Sequence, residues 1–129
     1  MIKANELRIG NWVIGPIGEL MKVNVLGHFS EPNYIHATGG GTSGQNGFEP
    51  IPLTTEILKK CGFHKLNKEW VLKDHDENPL SFHYSIWQIF DDNDFLYSSA
   101  EFNIELLHLH QLQNHYFFVT GGKELEFKP

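Results

Sequence analysis

NIELLHLHQLQNHYFFVTGG, residues 103–122, is the stretch on which the fold turns. Leu106, Leu109, Leu112 and Tyr116 recur every three or four positions, with Leu107 and Phe117 widening the stripe. At that period side chains share one face of an α-helix, so the spacing predicts an amphipathic helix packed on a sheet. Asn103 is the expected N-cap and Gly121 the stop. Gln111, Gln113 and Asn114 fall on the opposite side. Amides there either bond to neighbouring loops or, beside Leu112 and Tyr116, form a recognition patch for a partner.

The clearest local signal lies upstream in FEPIPLTTEILKKCGF, residues 48–63. Pro52 precedes a helix that Thr54 can cap, and Leu53 can staple to Leu58. Glu56 suits the positive end of the helix dipole, Lys59 and Lys60 the negative end, and Gly62 closes it. A two-turn helix from Thr55 to Cys61 follows.

Around these helices the pattern is that of strands. ELRIGNWVIG, with Leu7, Ile9 and Val13, gives a first strand. Pro16 to Glu19 turn the chain into LMKVNVL, and Tyr34 to Ala37 form a third. This opening has the look of a small SH3-like barrel. FHKL and EWVLK make a hairpin about Asn67 and Lys68. SFHYSIWQIF, large and apolar on both faces, is expected to be a central strand. DDND turns it into FLYSS, and KELEF can add a last short strand. The predicted class is therefore α+β: an antiparallel curled sheet of six or more strands, barrel-like at its N-terminal end, with one short and one long helix.

At 129 residues, 40% hydrophobic and 20% charged, the chain is expected to fold as one domain spanning 1–129. No run reaches the roughly 18 apolar residues of a membrane helix, and MIKANELRIG has no signal core, so a soluble, cytoplasmic protein is expected. Cys61 stands alone, which excludes an internal disulfide, and is read as a core residue.

The formal charge of −6 is unevenly placed. Between Lys73 and Lys123 there is no Lys or Arg, while Asp74, Asp76, Glu77, Asp91, Asp92, Asp94, Glu101 and Glu105 all fall in that interval. A surface built from it repels phosphate backbones and attracts basic partners.

Signatures of chemistry are weak. Gly39, Gly40, Gly41, Gly44 and Gly47 suggest a phosphate cradle, but no Gly-Lys-Ser/Thr ending follows, and a mobile hairpin tip or partner-contacting loop is the expectation. Eight histidines offer no ligand pair at helical spacing: His108 and His110 point to different sides, and His108 and His115 lie two turns apart. The tip 91–94 lacks the glycine and glutamate of a calcium loop. No cofactor, metal or catalytic residue is expected.

Three stretches nevertheless stand together: NELRIGNWV at the front, FEPIPLTTEILKKCGF in the middle, and LHQLQNHYFFVTGGKEL at the back. As a set they resemble a family of small proteins, of no assigned activity, carried by phages and prophages of Bacteroidetes bacteria. Its members look like ELRIGN at the front, PIPLTEE with GF in the middle, and HQLQNLYF with TG and EL at the back. The resemblance covers roughly half the chain, and His115 replaces a usual aliphatic residue. It implies a mobile-element context and carries over no catalytic residue.

The expectation is a non-enzymatic protein-binding module, an anti-CRISPR-like inhibitor candidate that occupies a basic groove of a host protein such as an RNA-guided nuclease. Its candidate partner-binding residues are Asp74, Asp76, Glu77, Asp91, Asp92, Asp94, Trp87, Gln111 and Asn114. One alternative is a nucleic-acid-binding accessory module on the N-terminal part, where Arg8, Trp12, Lys22 and Tyr34 could cluster, although the overall charge opposes it. Another is a small metal-assisted enzyme using the histidines.

Overall fold

The computed structural model describes residues 6–28, 31–39, 42–45, 47–66, 69–72, 84–88, 97–99 and 104–129. Among them two antiparallel sheets and two helices form. The first sheet runs in chain order through β1 (Trp12–Ile14), β2 (Leu20–His28), β3 (Glu31–Gly39) and β4 (Thr42–Gln45). The second runs through β5 (Phe63–Leu66), β6 (Glu69–Leu72), β7 (Tyr84–Gln88), β8 (Tyr97–Ser99) and β9 (Ile104–Leu106). Helices α1 (Thr55–Lys60) and α2 (Leu109–Val119) complete the α+β architecture, one short and one long.

The strands thus divide into two open meanders. Register shifts between Val23 and Val25 and between Leu26 and His28 disturb the β2–β3 ladder. Such irregularities increase local twist, which curls a sheet without closing it.

Two cores result from strand alternation. Val13, Met21, Val23, Ile35, Ala37 and Phe48 are buried on one side of the first sheet. Trp12, Ile14 and Leu20, pointing the other way, pack against the second core. That larger core joins Leu53 and Leu58 from around α1, Trp70, Tyr84 and Ile86 from the second sheet, and Leu109 and Leu112 from α2. β1 is therefore apolar on both faces because it lies between two cores.

Local chemistry explains α1 fully. Thr54 is extended, its Oγ1 accepts from the Ile57 amide at 3.3 Å, and Leu53 and Leu58 are both buried in the same cluster. Gly62 follows at φ +92°, a left-handed conformation that glycine adopts without strain.

α2 departs from its expected start. It begins at Leu109, with His108 rather than Asn103 as N-cap, and Ile104–Leu106 is a strand paired with β8. Leu106 fits helical spacing but is buried as the inward residue of β9. At the other end Gly122 donates to Phe117 O at 2.9 Å and Gly121 to Phe118 O at 3.4 Å, with both glycines at positive φ, so the helix stops where expected.

Three further expectations change. The glycine-rich stretch is not all loop, since Thr42–Gln45 pairs with His36 to Gly39. Backbone hydrogen bonds need no side chain, so glycine content does not forbid a strand. KELEF adds no strand: Leu125 and Phe127 are buried and Glu124 and Glu126 exposed in a C-terminal tail outside both sheets. Gln113, placed on the polar face by spacing, is buried at 1% exposure.

Candidate partner-binding face

The second sheet presents its inner face to α2. Trp70, Tyr84, Ile86, Gln88 and Leu106 are buried there, and Gln88 Oε1 accepts from Trp70 Nε1 at 3.2 Å. Alternation then turns Glu69, Val71, Ser85, Trp87 and Glu105 outward.

Register sets the outward residues side by side. Trp87 lies directly opposite Glu69 on β6 and opposite Ser98 on β8, and Ser98 lies opposite Glu105 on β9. Glu69, Trp87 and Glu105 thus share one row across the sheet, with strands about 4.8 Å apart. Trp87 is 43% exposed, unusual for a tryptophan in a central strand, and Glu105 is exposed. Lys65, the one Lys or Arg in the described strands of this sheet, is opposite Trp70 on the other face, its Nζ 5.9 Å from that ring. An indole between carboxylates can attract a cation by its quadrupole and by charge.

Of the sequence-derived candidates, Trp87 belongs to this row. Asp74, Asp76, Glu77, Asp91, Asp92 and Asp94 lie outside the described residues. Glu69 and Glu105 were not among the candidates. Glu69 sits in the EWVLK strand, and only cross-strand register aligns it with Trp87.

Gln111 and Asn114 are elsewhere, on α2. Gln111 Oε1 accepts from the backbone amides of Leu107 at 2.9 Å and His108 at 3.0 Å, which satisfies donors at the helix start. Asn114 Oδ1 accepts from Asn11 Nδ2 at 2.9 Å and Arg8 Nε at 3.3 Å, while its Nδ2 donates to Glu6 O at 3.4 Å. Gln113 donates to Gly10 O at 3.2 Å and accepts from the Trp12 amide at 2.9 Å. Gln113 and Asn114 thus bind the N-terminal segment to α2, while Gln111 serves the start of its own helix.

Arg8 is the hub of that seam. Its guanidinium pairs with both carboxylate oxygens of Glu124 and lies 3.9 Å from the Phe117 ring centre. Lys22 is exposed, Trp12 is half-buried edge-on to Phe127 at 5.3 Å, and the Tyr34 side chain is outside the described set. Trp12, Lys22 and Phe127 line an open cleft of about 590 Å³ between the first sheet and the C-terminal tail, with Glu124, Glu126 and Lys128 at the tail side.

Burial pushes the Cys61 thiol up to about 12, which holds it protonated at neutral pH. The Tyr84 hydroxyl and His115 Nδ1 are 2.5 Å apart; burial raises the phenol, with Tyr116 adding to the shift, and burial lowers the imidazole. His110 is lowered to about 4, by burial first and by neighbouring His108 second, with Glu6 acting against both. The His108 and His110 rings stack with centres 5.7 Å apart, so the pair faces itself rather than diverging as helical spacing suggested. Among the described residues no three His, Cys, Asp or Glu side chains gather as a metal site, and no helix is long and apolar enough to cross a membrane.

Comparison with protein-family models, curated proteins and solved structures returns no match to the chain.

Proposed function

We propose that this protein is a non-catalytic binding module of phage or mobile-element origin that presents an acidic, aromatic surface to a basic groove of a host protein. An RNA-guided nuclease in the bacterial cytoplasm is the type of target that fits, because carboxylates can occupy positions where its groove takes phosphates. The proposal makes the protein an inhibitor and not a nucleic-acid binder.

The row of Glu69, Trp87 and Glu105 carries this proposal. It places an exposed indole among carboxylates in a chain that has no Lys or Arg from position 74 to 122. Aromatic anchors in interfaces contribute contact area, while complementary charge speeds association and excludes wrong partners. A nucleic-acid-binding role draws less support, because Arg8, the arginine it invokes, is already held by Glu124 and Phe117.

The test uses the tagged protein as bait in bacterial host lysate at low and at physiological salt, with mass spectrometry of what is retained. The parallel bait carries W87A with D91K, D92K and D94K. Retention of a basic, nucleic-acid-handling protein by the parent and its loss from the variant is expected. Identical proteins on both baits would contradict the proposal.

A further inference from the structure

We infer that the outer face of the second sheet is a receptor for an arginine side chain of the partner, seated on the Trp87 indole between Glu69 and Glu105. This rests on the protein-binding proposal above and names the group that the face recognises.

Geometry favours a single planar cation. The row runs Glu69, Trp87, Ser98, Glu105 across four adjacent strands, so the Glu69 backbone is one strand spacing, about 5 Å, and the Glu105 backbone two, about 10 Å, from Trp87 along the sheet. A guanidinium stacked on the indole is within reach of a glutamate on either side. Its N–H groups lie in its own plane, parallel to the indole, and can point outward to carboxylates while its face stays on the aromatic surface. A lysine ammonium is a compact, strongly hydrated charge and loses more solvation in the same place.

Charge complementarity identifies the occupant as basic. Lys65, the sheet's one described Lys or Arg, is on the opposite face beside Trp70. His64 shares the outer face, opposite Val71, and is exposed. An apolar occupant would cover Trp87 but leave two glutamates facing an uncharged surface, and an acidic one would be repelled.

The direct test is fluorescence anisotropy of labelled nona-arginine and nona-lysine peptides with the intact protein at several salt concentrations. Nona-arginine should bind roughly two- to fivefold tighter than nona-lysine, the range expected of an exposed cation–π contact. W87A should erase that preference, W87F should keep part of it, and E69Q/E105Q should weaken both peptides and flatten the salt dependence. Circular dichroism of each variant verifies that the fold is retained. Equal binding of the two peptides, unchanged in W87A, would overturn the inference. In that case loss of both peptides from D91K/D92K/D94K would leave the wider acidic-surface proposal standing. A parent that binds neither peptide also refutes the arginine site, and the lysate experiment then decides the wider proposal alone.

Discussion

Arg8 and Asn114 meet side chain to side chain although 106 positions separate them, Nε donating to Oδ1 at 3.3 Å. Through this contact the front and back motifs of the sequence become one structural unit. The middle motif joins by backbone, with Leu109 donating to Ile51 O at 2.9 Å and Leu53 to Leu107 O at 3.0 Å. The three stretches that stand out in the sequence are thus the ones that hold the two sheets and α2 together.

Asn114→Ala removes the acceptor of Asn11 Nδ2, and Asn11 is fully buried. A buried donor left unsatisfied costs about 1 to 3 kcal/mol, so the variant should unfold at correspondingly lower urea. Unfolding at the parent's midpoint would mean that the seam does not fasten α2 to the N-terminal segment.

Leu109→Ala and Leu112→Ala each open a void in the larger core, where both residues are fully buried. Each should cost roughly 2 to 5 kcal/mol. Thermal melts like the parent's would show that α2 is a surface element and not the centre of the fold.

Gly39→Ala tests the pairing of the first sheet. A Cβ there would stand 2.5 Å from Leu20 O and 3.1 Å from Met21 Cα, both backbone atoms that no rotamer change can move. About 1 to 3 kcal/mol of destabilisation is expected, as for other overpacked sites. Wild-type stability would refute the close approach of β2 to β3.

His110 predicts acid sensitivity. Its folded value of about 4 lies below the ordinary 6.5, so the unfolded chain binds the extra proton first as pH falls. The stability that neutral His110 retains is complete above about 6.5, is lost progressively down to about 4, and changes no further below that. The contribution is at most about 3 kcal/mol. His110→Leu should flatten that part of the stability-against-pH curve measured by urea unfolding. An unchanged slope would place the titration elsewhere.

What could be read from the sequence was local. Thr54, Leu53, Leu58 and Gly62 announce α1 within a few residues of one another, and Asn67 between two strand-forming runs announces the β5–β6 pair. The sequence places the start of α2 too early, at Asn103, because Leu106 satisfies both a helical stripe and an inward strand position. Pairing of β9 with β8, together with Gln111 reaching back to the Leu107 and His108 amides, decides it. Burial of Gln113 depends on Gly10 and Trp12, about a hundred positions away, which no window of sequence can supply. In KELEF, the period-two spacing that suggests a strand matches the burial of Leu125 and Phe127, but burial alternation does not require a ladder partner. Trp87 was found as an aromatic in an acidic stretch, whereas Glu69 and Glu105 join it only through register.

Competition with nucleic acid separates occupation of a phosphate-binding groove from every other mode of attachment. If the acidic surface takes the place of phosphates, single-stranded RNA should displace the protein from a partner captured from lysate. Association of the two proteins should weaken as salt rises, more steeply for the parent than for D91K/D92K/D94K. The parent alone should not bind that RNA at physiological salt. Simultaneous binding of RNA and this protein to the partner, or tight salt-sensitive binding of RNA by this protein itself, would contradict the account.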